Sequence, residues 1–331
     1  MDINNEIKKK GFLDIDVPNN IDLKVEIEKL KKEKNAIILG HYYQTDDIQN
    51  ISDILGDSLA LAQEAAKTDA DLIVFAGVHF MAETAKLVNP KKKVVLPDLN
   101  AGCSLADSAP ADEFEKFVKA HPDHTVITYI NSSTEVKALT DVCCTSTNAK
   151  DIVNSFPKDA KLIFAPDKNL GSYINKITGR NMLLWDGACH VHKEFSIPRI
   201  IEQKNQFPNA KIIAHPECQN DLLIMADHVG STGSLLKFTK EDDGNQYIVA
   251  TESGILHQMR KYSPKKHFIP APPEDSTCAC NDCKFMKLNT MRKVYLAMKY
   301  EVPEITLDEE LRKKAAKPIE KMLKISHKLG L

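Results

Sequence analysis

A threefold internal repeat constrains this chain most, because each copy is one small unit that must stack on its neighbours to bury a continuous core. Three apolar, strand-like runs, 36–43, 125–131 and 211–217, end in polar residues of one kind. The end markers are His41 and Tyr43, Tyr129 and Asn131, and His215 and Glu217. Their leading members stand 88 and 86 residues apart. Each copy then carries an Asp with a hydroxyl five residues on: Asp53 and Ser58, Asp141 and Ser146, Asp227 and Thr232, again at spacings of 88 and 86. Segments opening at Phe75, Phe164 and Val249 align in the same way, 89 and 85 residues apart. After its last strand each copy delivers one cysteine: Cys103, Cys189 and Cys283.

The apolar runs are continuous rather than alternating, as in strands covered on both faces, and they alternate with helical stretches. That pattern predicts parallel sheets with helices outside and right-handed crossovers. The expected architecture is α/β: three similar three-layer units about a pseudo-threefold axis, with one central metal where the three cysteines meet. The 331-residue chain divides into a polar lead-in helix at 1–35, repeats at 36–121, 122–208 and 209–300, and a charged helical tail at 301–331. The tail carries an apolar stripe (Leu311, Ala315, Ile319, Leu323) and is expected to pack on the rest.

Net charge is −2 with acids and bases interspersed, so no basic stripe invites nucleic acid. No apolar run approaches a membrane span. The N-terminal segment is charged and lacks the apolar core of a signal peptide. The expected address is the cytoplasm, where eight cysteines point to metal or redox chemistry rather than structural disulfides. Cys143, Cys144 and Cys218 read as small buried or loop residues.

In parallel sheets, ligands gather beyond the carboxyl ends of the strands. All the repeated markers fall there. Ser58, Ser146 and Thr232 stand where helices are expected to start, as ordinary N-caps or as parts of anion cradles, two compatible tasks. Three widely spaced single thiols suit a [4Fe-4S] cluster with three protein-held irons and a fourth open to substrate as a Lewis acid. A structural zinc would want paired knuckles, and only Cys280 and Cys283, with Cys278 just before them, form one. Cys278 and Cys280 read either as spare thiols or, for Cys280 with Cys283, as a reversible disulfide.

At these residues the chain closely resembles the quinolinate synthase family, iron–sulfur enzymes of NAD biosynthesis. The matching segments are GHYYQ (40–44), GDS (56–58), AGCSLAD (101–107), YINSS (129–133), CTS (144–146), WDGACHVH (185–192), HPEC (215–218), GSTG (230–233) and CNDCKFMKLNT (280–290). The resemblance implies three similar α/β domains in a pseudo-threefold triangular arrangement around a central iron–sulfur cluster, a [4Fe-4S] cluster held by Cys103, Cys189 and Cys283. It implies condensation of iminoaspartate with dihydroxyacetone phosphate to quinolinate, with loss of phosphate and water. An aspartate oxidase or dehydrogenase would supply the iminoaspartate. Substrate-site residues would fall on His41, Tyr43, Ser58, Tyr129, Asn131, Ser146, His192, His215, Glu217 and Thr232. Glu217 is the expected principal acid/base and Tyr43 a second proton-transfer group, with Tyr129, His192 and His215 assisting. One departure stands out: longer members resemble CxxCxxC in the last segment, and CACNDC breaks that spacing at Cys278. Two rival readings stand beside this one. One is an iron–sulfur hydro-lyase of a small hydroxy acid. The other is a non-enzymatic zinc or redox-sensing protein built on CACNDC.

Overall fold

The computed structural model describes residues 3–274 and 281–331. It contains three parallel four-stranded sheets of one topology. The first sheet is built from β1 (Ala36–His41), β2 (Ile54–Gly56), β3 (Leu72–Ala76) and β4 (Lys93–Val95). The second uses β5 (Thr125–Tyr129), β6 (Val142–Cys144), β7 (Leu162–Ala165) and β8 (Leu183–Leu184). The third uses β9 (Lys211–Ala214), β10 (His228–Val229), β11 (Gln246–Ala250) and β12 (His267–Pro270). In each, the first strand of the unit lies between the second and the third, and the fourth closes the far edge. The three α/β units expected from the repeat are therefore present.

The short edge strands β2 and β6 were not foreseen, and they explain the repeated aspartates. Asp53 Oδ2 accepts the N–H of Ile38 at 2.8 Å, while the N–H of Asp53 donates to the carbonyl of Ile38. Asp141 does the same with Val126 (2.8 Å) and Asp227 with Ile212 (2.7 Å). Each carboxylate thus satisfies a strand N–H beyond the reach of the short partner strand and pins its register.

Both faces of each sheet are covered. One apolar cluster runs continuously from Leu39 and Phe75 of the first unit to Ile127 and Phe164 of the second, and takes in Ala315, Ile319 and Met322 of the tail helix Glu309–Lys328. The tail therefore completes the core shared by two units. The outer face of the first sheet packs on Leu13, Ile27 and Leu30 of the lead-in and on the helix Met291–Tyr300. Sequence order groups that helix with the third repeat, yet its apolar side belongs to the first. The third sheet carries its own cluster on each face.

Replacing Asp141 with Ala leaves the Val126 N–H without its acceptor. The expected cost is about 1–3 kcal/mol of unfolding free energy by chemical denaturation. An unchanged denaturation midpoint and slope would contradict the pinning role.

Candidate functional site

The carboxyl ends of β1, β5 and β9 open on one cavity of ≈ 650 Å³ including its mouth. All thirteen residues singled out from the sequence line it. The first unit brings His41, Tyr43, Ser58 and Cys103. The second brings Tyr129, Asn131, Ser146, Cys189 and His192, and the third His215, Glu217, Thr232 and Cys283. Cys278 and Cys280 lie outside the described residues.

The cysteines are presented alike. The carbonyl of Cys103 accepts the N–H of Asp107 (2.9 Å), that of Cys189 the N–H of Lys193 (2.9 Å), and that of Cys283 the N–H of Lys287 (3.2 Å). Each thiol so sits at the start of a helical turn and receives backbone N–H groups: from Ala106 and Leu105, from His192, and from Met286 and Phe285. Burial pushes Cys103 up to about 12; the N–H of Ala106 opposes this, and the nearness of Cys283 adds to it. Burial likewise raises Cys189, with Glu217 and Cys103 adding to the effect, and raises Cys283. Three thiols within one another's field ionise together only if positive charge joins them, which is the donor chemistry of a thiolate-bound metal centre. Cys189, His192 and Glu217 also offer ligand atoms within 4.8 Å of one another. His192 and Glu217, however, already spend their polar atoms on hydrogen bonds, whereas among the described residues the thiols receive backbone N–H groups.

Glu217, 2% exposed, is the centre of those bonds. Tyr129 Oη donates to its Oε1 at 2.6 Å, and His192 Nδ1 lies 3.1 Å from its Oε2. His192 Nε2 is 3.0 Å from Thr251 Oγ1, which is 2.7 Å from Tyr43 Oη, itself 2.7 Å from Thr232 Oγ1. The hydroxyls of Thr251, Tyr43 and Thr232 thus form a continuous chain of hydrogen bonds that reaches Glu217 through the His192 ring. Burial opposes its charge, but the fields of His192 and His215 and the bonds from His192 and Tyr129 outweigh this and take it down to about 2. Burial raises both Tyr43 and Tyr129 well above the usual phenol range, so both hold their protons.

His41 and His215 repeat one local motif. The N–H of Tyr43 donates to His41 Nδ1 at 3.1 Å, and the N–H of Glu217 lies 3.4 Å from His215 Nδ1. Both rings then carry their proton on Nε2, and that of His215 lies 3.3 Å from Ser146 Oγ. The amide oxygen of Asn131 is shielded from solvent and has no hydrogen-bond partner on this wall.

The expected N-caps are displaced by one or more residues. Asp57 caps the helix Ser58–Lys67 and Ser231 caps Thr232–Glu241. Ser146 lies in the turn before the helix Ala149–Asn154. Asp and Ser one position earlier reach the same N–H groups, which frees the hydroxyls of Ser58 and Thr232 from capping. Thr251 was missed altogether. Its place in the repeat is taken by Gly77 and Pro166 in the other copies, so no repeated residue type marked it.

Burial takes His41 down to about 4 and His215 to about 3, from an ordinary value of 6.5. The unfolded chain therefore takes up protons first, and stability falls as the pH drops from 6.5 toward those values. Imidazole NMR is expected to show both rings neutral at pH 5.5, in contrast to exposed histidines. Titration of either ring near 6.5 would contradict the burial argument.

A family profile described as "NadA: Quinolinate synthetase A protein" matches residues 25–324. A quinolinate synthase of Chloroherpeton thalassium is 58% identical over 308 residues, 93% of this chain and 96% of the relative. Quinolinate synthases of Thermosynechococcus vestitus (57% over 309 residues, 93% and 97%) and Synechocystis sp. (58% over 305 residues, 92% and 96%) are similar to the same extent. With three quarters or more of its length matched by both kinds of comparison, the chain belongs to the quinolinate synthetase A protein family.

Proposed function

We propose that the protein is a quinolinate synthase. It condenses iminoaspartate with dihydroxyacetone phosphate to quinolinate, with loss of phosphate and water, in the cytoplasm. An aspartate oxidase or dehydrogenase supplies the iminoaspartate. The observation that carries this reading is the meeting of one thiol from each unit with an ionised, relayed carboxylate in one cavity. Cys103, Cys189 and Cys283 would hold a [4Fe-4S] cluster, their set of three leaving one iron without a protein thiolate. Such a cluster supplies a Lewis acid for an oxygen that must depart as water.

The chain's own residues account for the remainder. Both substrates are anionic. Ser58 and Thr232 stand at the first positions of ten-residue helices, where free N–H groups and the helix dipole favour phosphate and carboxylate. Ser146, the Nε2–H of His41 and of His215, and the amide of Asn131 add neutral donors. Because both histidines are neutral, they orient anions by hydrogen bonding rather than by charge. Ring formation requires protons to leave carbon and nitrogen and others to reach departing oxygens. Glu217 is the base. Once Glu217 has taken a substrate proton, it passes that proton along the 2.6 Å bond to Tyr129 as Tyr129 gives its own to a departing oxygen, and the relay through His192 and Thr251 connects Tyr43 to the same carboxylate. Burial keeps bulk water away from these transfers. A hydro-lyase with one substrate leaves the second set of anion donors unused, so family membership and cavity chemistry favour the condensing enzyme.

Glu217→Gln keeps the shape of the site and removes the base. Turnover of dihydroxyacetone phosphate with enzymatically generated iminoaspartate is expected to fall by about 100-fold or more, while iron and sulfide content stay at wild-type values. Thr251→Val, which breaks the relay but spares Glu217, is expected to lower kcat less than Glu217→Gln, with KM little changed. Full activity in the glutamine variant removes Glu217 from the mechanism.

A further inference from the structure

We propose that Asp167 and Glu252 are matched positioning residues, each holding the backbone N–H of the cysteine its own unit delivers to the cavity. The two occupy one place in the repeat, three residues after Phe164 and Val249 and two beyond the ends of β7 and β11. Neither side chain has any solvent exposure. Asp167 divides its oxygens: Oδ1 accepts the N–H of Leu170 at 2.7 Å, and Oδ2 accepts the N–H of Cys189 at 3.2 Å. Glu252 does likewise. Its Oε1 accepts the N–H of Cys283 at 3.0 Å and pairs with Lys287 Nζ at 2.9 Å, and its Oε2 accepts the N–H of Gly254 at 2.7 Å.

Capping alone does not explain Asp167. A serine would cap the helix Lys168–Thr178 without burying a carboxylate, and a buried carboxylate is costly unless its oxygens are satisfied. The second oxygen is what serine lacks, and that oxygen meets Cys189. Gly187 supports the same contact from the other side. A Cβ there would lie 2.5 Å from the carbonyl oxygen of Pro166, so only glycine lets the cysteine loop run this close to Asp167. In the third unit Lys287 also donates to the carbonyl of Tyr43 at 2.8 Å, which ties the Cys283 loop to the first unit. The first unit departs from the pattern. Val78, with no acceptor, holds the equivalent place, and the turn before Cys103 is organised by buried Asp98, which accepts the N–H of Asn100 and pairs with Lys293. Two of the three thiols are thus aimed by a repeat-encoded carboxylate, and the third by its own loop.

This inference rests on the cluster reading above and concerns how two of the ligand loops are held. The test uses full-length, anaerobically purified protein bearing Asp167→Ser, Asp167→Asn, Asp167→Glu or Glu252→Gln. Iron and sulfide content and the rate of iron release to excess chelator are measured, with circular dichroism to verify folding. Ser and Asn can cap the helix but cannot also accept from Cys189. Both are expected to release iron about tenfold faster or more, as is Glu252→Gln, while Asp167→Glu, which keeps two acceptors, restores slower release. Should the serine variant fail to fold, the isosteric asparagine and the Glu252 variant carry the test. Folded variants with wild-type iron content and release rate would overturn the proposal alone. A wild-type protein without a cluster, or one whose cluster survives removal of Cys103, would overturn the cluster reading first.

Discussion

Glu217 keeps a negative charge at the centre of the protein, and the units have to meet around it for that charge to be tolerated. A carboxylate sealed from water costs several kcal/mol unless its lone pairs are filled by well-placed donors. Here the donors come from two places in the second unit, Tyr129 at a strand end and His192 after its cysteine, while the carboxylate comes from the third unit. The relay then continues through Thr251 to Tyr43 of the first unit. One polar network therefore ties all three units together at the spot where their cysteines arrive. The same contacts that hold the units in place also hold the Glu217 carboxylate ionised, with Tyr129 as one of its donors.

Much of this was legible because the protein is a repeat. A lone His, Tyr or Cys at a strand end says little. The same kinds of residue at matching offsets in three copies mark a common edge of three sheets, and parallel sheets bind at that edge. The repeated aspartates were equally visible, but their task was not. A side chain that pins a strand only two or three residues long has no sequence signature, because such strands are too short to show a period. The caps of the helices after β2 and β10 were displaced for a related reason: Asp57 and Ser231 are as competent to cap as their neighbours Ser58 and Thr232, and only backbone geometry decides between them.

What escaped the sequence was whatever depends on contacts between distant segments. The helix Met291–Tyr300 follows the third repeat in order but packs on the first, since its apolar side matches the outer face of β1 and β3. Thr251 joins the network by proximity alone. Asp167 and Glu252 sit in register with each other, yet the first copy has Val78 there, so the repeat did not announce them. The Cys278–Cys280 segment lies outside the described residues; Cys283, which follows it, lines the cavity.

The central claim is that one thiol from each unit binds a shared [4Fe-4S] cluster whose remaining iron meets substrate. Mössbauer spectroscopy of protein grown on isotopically enriched iron and purified anaerobically tests it most directly, before and after addition of dihydroxyacetone phosphate and iminoaspartate to the inactive Glu217→Gln variant. The account predicts a four-iron cluster in which one iron changes its signal on substrate addition and the other three do not. Four irons that all ignore substrate, or no iron–sulfur signal in freshly prepared protein, would contradict it.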